Sequence, residues 1–157
     1  PRLASSLIEA LRDGSIAMVA SDHAPHSLEE KKGDAPLPGI PGLETTLPLV
    51  LSLVHKGAID LATLLKAMSS GPAKSFGLEG RGCLDVGMNA DLTVVDLKRP
   101  WTIDSSKFFS KAKYSPFDGL EVKGCSWATM VGGKLVMQDG EVTAQPGTGS
   151  ILSWGRF

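Results

Sequence analysis

The run Ile16-Ala17-Met18-Val19-Ala20 limits the fold more than any other stretch of the chain. Every residue in it is apolar and no helical period is present, which fits a short strand buried on both faces. The run ends in Ser21-Asp22-His23, so polar chemistry begins where the expected strand stops. In α/β barrels, active sites sit past that end of the strands. Upstream, Leu3, Leu7, Ile8 and Leu11 recur at helical spacing and Gly14 follows as a stop, which predicts an amphipathic helix over residues 3–13.

Beyond the run, residues 24–42 contain Pro25, Pro36, Pro38 and Pro41 with Gly33, Gly39 and Gly42. That density argues against regular structure and predicts a long ordered loop, of the kind that is commonly functional. Residues 43–55 and 61–69 read as helices, the second with Asp60 as N-cap. Gly71-Pro72 is expected to break the pattern, with a short helix over 72–76 after it. From Gly80 onward the character changes. Residues 92–95 and 127–131 read as strands, and Gly132-Gly133 is a hairpin signal leading to a further strand at 134–137. Asp139-Gly140 marks another turn. This shift predicts two domain segments, residues 1–80 and residues 81–157.

Bulk composition removes several function classes. The 16 basic and 17 acidic residues give a net charge of −1 and form no basic block, which argues against nucleic-acid binding. Cys83 and Cys125 stand far apart with no CxxC spacing, so neither a structural zinc knot nor a disulfide framework is indicated, and a reducing cytoplasm is the default. The longest apolar stretch, 47–54, is too short to span a bilayer. The opening residues lack the pattern of a secretory signal. With 42% hydrophobic and 21% charged residues, the composition is that of a globular protein. The first residue is Pro1 rather than Met, and the sequence reads as an excerpt of something longer.

The stretch Ser21-Asp22-His23-Ala24-Pro25-His26 carries the chemistry, one carboxylate and two imidazoles past the end of the expected strand. A carboxylate there can bind a divalent metal, take a proton from metal-bound water, or do both in turn. A plainer reading also fits: an Asp that caps a following turn, with histidines that fill space.

This stretch, followed by Leu28-Glu29-Glu30-Lys31 and then Pro38-Gly39-Ile40-Pro41-Gly42-Leu43-Glu44-Thr45, resembles the last barrel strand and substrate loop of the dihydroorotases in the amidohydrolase superfamily. The similarity continues through Gly87-Met88-Asn89-Ala90-Asp91-Leu92-Thr93-Val94-Val95-Asp96, like the strand re-entering that family's small β-sandwich, and through residues 110–119. The resemblance implies the C-terminal part of a TIM-type (β/α)8 metal-dependent hydrolase barrel followed by part of a β-sandwich. It further implies reversible, zinc-dependent hydrolysis of dihydroorotate in pyrimidine biosynthesis, with one or two Zn2+ per complete site.

Residue by residue, the resemblance gives Asp22 the role of metal-touching general base and acid. It gives His26 the substrate carboxylate, and the main chain of Pro38 and Gly39 a face toward the substrate. His23 is expected to pack the loop rather than bind metal, and Glu44 to favour the start of a helix dipole. His55 is expected to be solvated, Cys83 and Cys125 to be small fillers, and Lys111, Lys113 and Tyr114 to lie on the surface. The family's other metal ligands, an HxH pair, a carboxylated lysine and two further histidines, find no match among the three histidines here. The expected partners are therefore a small-molecule substrate and a missing N-terminal barrel segment, with a homodimer or aspartate transcarbamoylase as further candidates. No nucleic acid or membrane is expected. A neighbouring cyclic amidohydrolase such as a hydantoinase or allantoinase, and a noncatalytic dihydroorotase-like scaffold, are the rival readings.

Overall fold

The structure is a computed structural model that describes residues 2–152; Pro1 and residues 153–157, at the ends of the two expected segments, lie outside the described residues. The apolar spacing of Leu3, Leu7, Ile8 and Leu11 gives α1, Arg2–Asp13, which stops at Gly14 in the left-handed region (φ 84°). Such a φ suits glycine because no Cβ opposes it.

Residues 16–20 form no strand, which corrects the first expectation. Their bonds run elsewhere: the Ile16 N–H donates to the Ala10 carbonyl at 2.9 Å and the Val19 N–H to the Ala67 carbonyl at 3.0 Å. Ala17 and Ala20 are exposed. A strand exists only where a neighbour supplies a ladder, and none of the described strands pairs with this run.

The Pro/Gly-rich stretch also departs from expectation, because it contains a short helix, α2, Leu28–Lys32. Ser27 caps it reciprocally: its Oγ accepts from the Glu30 N–H at 3.2 Å while Glu30 Oε2 accepts from the Ser27 N–H at 2.6 Å. The Ser-x-x-Glu spelling of this capping box was legible in the sequence. Next comes α3, Leu43–His55, as expected. Asp60 then caps α4, Leu61–Leu65, its carboxylate accepting from the Thr63 N–H at 2.7 Å.

Gly71-Pro72 does not break the helical path. A π-turn, Lys66–Ser70, joins α4 to α5, Gly71–Ser75, and Pro72 sits in the first turn of α5, where its missing N–H costs nothing. Gly71 is required by proximity, since a Cβ there would stand 2.0 Å from the Ala17 carbonyl oxygen.

A four-stranded sheet follows in the order β1 (Leu92–Thr102), β2 (Glu121–Val131), β3 (Lys134–Gln138), β4 (Glu141–Val142). Both long strands exceed the expected spans, since Lys98, Arg99 and Pro100 in β1 and Gly124 in β2 break the apolar pattern by which a strand is read. β2 and β3 pair antiparallel, Val131 against Lys134, with an irregularity between Thr129 and Met130. Their turn, Gly132 (φ 55°) and Gly133 (φ 76°), and the next, Asp139 (φ 50°) and Gly140 (φ 85°), have the left-handed pairs that match strand twist. No helix among the described residues is long and apolar enough to cross a membrane.

The chain divides into two compact units, each assembled from separated stretches. One contains residues 2–19, 56–96 and 126–152, and buries Ile59, Leu64, Ala67, Ala73 and Ala128. The other contains residues 20–55 and 97–125. Its core is Ile103, Phe108 and Val122, with Leu49, Trp101 and Phe117 packed against them. The Trp101 indole N–H donates to the Gly124 carbonyl at 3.1 Å.

In the first unit, Asp91 ties two segments to the β2–β3 turn. Its Oδ1 accepts from the Gly132 N–H at 2.7 Å and its Oδ2 from Arg81 Nε at 2.6 Å. The Gly132 N–H, and with it the Arg81 guanidinium, holds the Asp91 carboxyl below its usual range. A depressed folded-state pKa contributes stability above the unfolded pKa and loses it as pH falls through the folded value. Asp91→Asn is therefore expected to lower the unfolding midpoint at pH 7 by about 2–4 °C. The same substitution costs less at pH 3, and thermal unfolding followed by circular dichroism at the two pH values checks both.

Candidate active site

All the chemistry-bearing residues singled out from the sequence, Asp22, His26, Pro38 and Gly39, fall in the unit formed by residues 20–55 and 97–125. Asp22 has φ 45° and an exposed carboxylate. A left-handed backbone costs an L residue roughly 1–2 kcal/mol, less for Asp, whose short side chain tolerates it. Among the described residues only Asp139 shares this state outside glycine, and Asp139 sits in a hairpin turn that demands it. Asp22 has no such turn. Strain held without a local reason is a mark of functional positions.

The residues after Asp22 are pinned to the loop. His23 forms a parallel bridge with Ile40, and the Ala24 N–H donates to the Ile40 carbonyl at 2.9 Å. His23 Nδ1 accepts from the Gly42 N–H at 3.1 Å and the Leu43 N–H at 3.3 Å. These donors belong to the start of α3, where N–H groups lack helical partners. Accepting at Nδ1 assigns the neutral ring with its proton on Nε2. His23 is thus a loop-packing residue in a specific sense: it caps the following helix. Gly42 permits the approach, since a Cβ there would stand 2.7 Å from the Ser21 carbonyl oxygen.

Gly39 (φ 95°) is fixed by both backbone and space, because a Cβ on it would fall 2.4 Å from the Ala24 Cβ. The structure therefore lays Gly39 and Ile40 against His23 and Ala24, directly after Asp22. His26 is half-buried, with Nδ1 3.9 Å from Glu30 Oε2. Bonding to Ser27 holds the Glu30 carboxyl below its usual range, so a negative charge faces one edge of the imidazole.

Three features were missed in the sequence. Glu44 does more than sit near a helix start: its Oε2 accepts from the Phe109 N–H at 2.9 Å and its Oε1 from the Ser110 N–H at 3.0 Å. This clasp joins residues far apart in sequence, and no local pattern announces it. Asp118 closes the other end of the same segment, accepting from the Ser105 N–H at 2.7 Å and the Ser105 hydroxyl at 2.5 Å. Cys83, expected as a filler, is exposed.

A catalytic zinc takes three or more protein ligands. Among the described residues no three His, Cys, Asp or Glu side chains converge to hold one. Asp22 can supply a single ligand, so these residues do not make a metal site by themselves.

Removing the Glu44 clasp frees two backbone donors. Charge-assisted bonds of this kind contribute about 1.5–3 kcal/mol. In Glu44→Ala, amide hydrogen exchange at Phe109 and Ser110 is expected to accelerate by roughly tenfold or more, while exchange at Leu51 within α3 stays unchanged. Hydrogen exchange read by NMR checks this.

The sequence profile of the amidohydrolase family matches residues 4–136. The chain is 50% identical over 130 residues to a dihydroorotase of Geobacter metallireducens, covering 82% of this chain and 30% of that protein. It is 41% identical over 141 residues to a dihydroorotase of Pyrococcus furiosus, covering 90% of this chain and 33% of that one. Among solved structures, an L-hydantoinase (dihydropyrimidinase) from Arthrobacter aurescens aligns with a TM-score of 0.87 at 40% identity, covering 94% of this chain and 34% of the hydantoinase. The chain spans about a third of the length of the curated relatives it matches. Its α/β architecture with an antiparallel sheet is that of these relatives, and the chain belongs to the amidohydrolase family.

Proposed function

We propose that this chain is the C-terminal portion of a dihydroorotase, which hydrolyses the cyclic amide of (S)-dihydroorotate to N-carbamoyl-L-aspartate and runs the reverse reaction in pyrimidine biosynthesis. The observation that carries the reading is Asp22: an exposed carboxylate on a left-handed backbone, beside a glycine-dependent loop. Similarity to dihydroorotases at 41–50% identity over most of this chain supports that choice of substrate.

In this reading Asp22 takes the proton of the attacking water and returns it to the departing amide nitrogen, one residue serving as base and then acid. His26 donates a hydrogen bond to the substrate carboxylate, with Glu30 behind the ring to orient it. The Pro38–Gly39 peptide faces the ring. A zinc ion would be held by Asp22 together with ligands from outside this chain, and would ease deprotonation of water there.

The same reading makes residues 1–80 the last barrel strand, substrate loop and helices, and residues 81–157 part of a β-sandwich. Its support is that Leu3, Leu7 and Leu43 are exposed at 76%, 50% and 66%, which is apolar surface suited to burial against the rest of a barrel. Cytoplasmic location, a homodimer, and association with aspartate transcarbamoylase belong to the proposal as its expected setting.

The hydantoinase reading rests on structural similarity to the Arthrobacter aurescens L-hydantoinase. The substrate carboxylate separates the two, since a hydantoin ring does not require one and His26 has a role only where one is present. In the whole protein, kcat/KM for dihydroorotate is expected to exceed that for hydantoin by at least tenfold. Asp22→Asn is expected to lower kcat by about 100-fold to 10,000-fold, the span of general acid and base catalysis. A preference for hydantoin favours the second reading, and a folded protein that turns over neither ring favours a noncatalytic scaffold.

A further inference from the structure

Lys31 stands out once the site is assembled. It ends α2, a helix of five residues, too short to persist without its capping box and its contacts. Its neighbours from Lys32 to Gly39 are all exposed, yet Lys31 is half-buried. The ammonium turns back over the loop, donating to the Leu37 carbonyl at 2.6 Å and to the Gly39 carbonyl. The ring of Tyr114 lies on another side, 6.0 Å from Nζ to centroid, the outer limit for attraction of a cation to an aromatic face. An ammonium has three donors, and here two are committed to main-chain oxygens of a single loop.

The spacing of the two acceptors has a consequence. Leu37 and Gly39 flank Pro38, so the peptides on both sides of the Pro38–Gly39 unit are held by one cation. No hydrogen bond within the described residues engages the Pro38 carbonyl or the Gly39 N–H. Gly39 is confined from the other side by Ala24, which leaves no room for a Cβ. The loop is therefore clamped at its flanks, and the one peptide between them presents a free acceptor and a free donor. Either group can hydrogen-bond to a ring amide, which offers an N–H and a C=O of its own.

We propose that Lys31 is a positioning residue for substrate binding, holding the carbonyls of Leu37 and Gly39 so that the intervening peptide is preorganised to pair with the cyclic amide. This rests on the dihydroorotase reading above. Lys31 touches no reacting atom. Its loss lets the loop rearrange, and the effect falls on binding rather than on proton transfer at Asp22. Preorganised binding elements lower the ordering cost of association.

The test uses the whole zinc-loaded protein with Lys31→Met, which keeps the apolar stem but removes the charge and donors, and Lys31→Arg, which keeps a cation and donors. For Lys31→Met the expected result is a rise in KM for dihydroorotate of at least tenfold with kcat within about twofold of wild type. Amide exchange at Ala24, whose N–H donates to the Ile40 carbonyl of the loop, accelerates in the same variant, a readout independent of turnover. Lys31→Arg recovers at least half of the KM change on a logarithmic scale. A Lys31→Met protein with wild-type KM and unchanged Ala24 exchange overturns the proposal, as does a loss of kcat alone. Failure of the dihydroorotase reading is distinct, since it appears as a wild-type protein that does not turn over dihydroorotate while the exchange comparison still reports on the clamp.

Discussion

The short contact between residues 23–24 and residue 40 is the constraint on which the rest of the site depends. One bridge, one backbone bond at 2.9 Å and two bonds to the His23 imidazole fold a long proline- and glycine-rich segment back onto the residues that follow Asp22. Each bond is modest alone, on the order of 1 kcal/mol net. Together they fix where α3 begins, and that start carries Glu44 to the Phe109 and Ser110 amides. Glu44 thereby anchors a segment more than sixty positions downstream.

Charge is used economically in this arrangement. The His23 ring serves as a neutral acceptor, Glu30 caps its own helix while facing His26, and Lys31 satisfies loop carbonyls that have no strand partner. Asp22 contrasts with these three, a carboxylate left exposed on a left-handed backbone.

Elements set by local chemistry were legible in the sequence. Leu3, Leu7, Ile8 and Leu11 announced α1, Asp60 announced its cap, and Gly132-Gly133 announced the hairpin. Elements set by distant partners were not. The run 16–20 reads as a strand from its apolar character, but a strand also needs a neighbour, and none of the described strands supplies one. The helical path through Gly71-Pro72 depends on a π-turn that absorbs the proline, and spacing alone does not reveal it. β1 was underestimated because Lys98, Arg99 and Pro100 hide a strand whose ladder does not require apolar side chains. Within the candidate site, the positions of Asp22, His26 and Gly39 along the chain were readable, whereas the clasp by Glu44 and the clamp by Lys31 are tertiary facts with no local signature.

In the proposed site, residues 20–44 hold both the proton-transfer carboxylate and the substrate-facing loop. The most direct measurement is a crystal structure of the whole protein with dihydroorotate bound. The expected result is the His26 ring at hydrogen-bonding distance from the ligand carboxylate, the Pro38–Gly39 peptide against the ring amide, and the Asp22 carboxylate facing the carbonyl carbon that is attacked. A ligand seated elsewhere, with Asp22 turned to solvent and the loop empty, would contradict it.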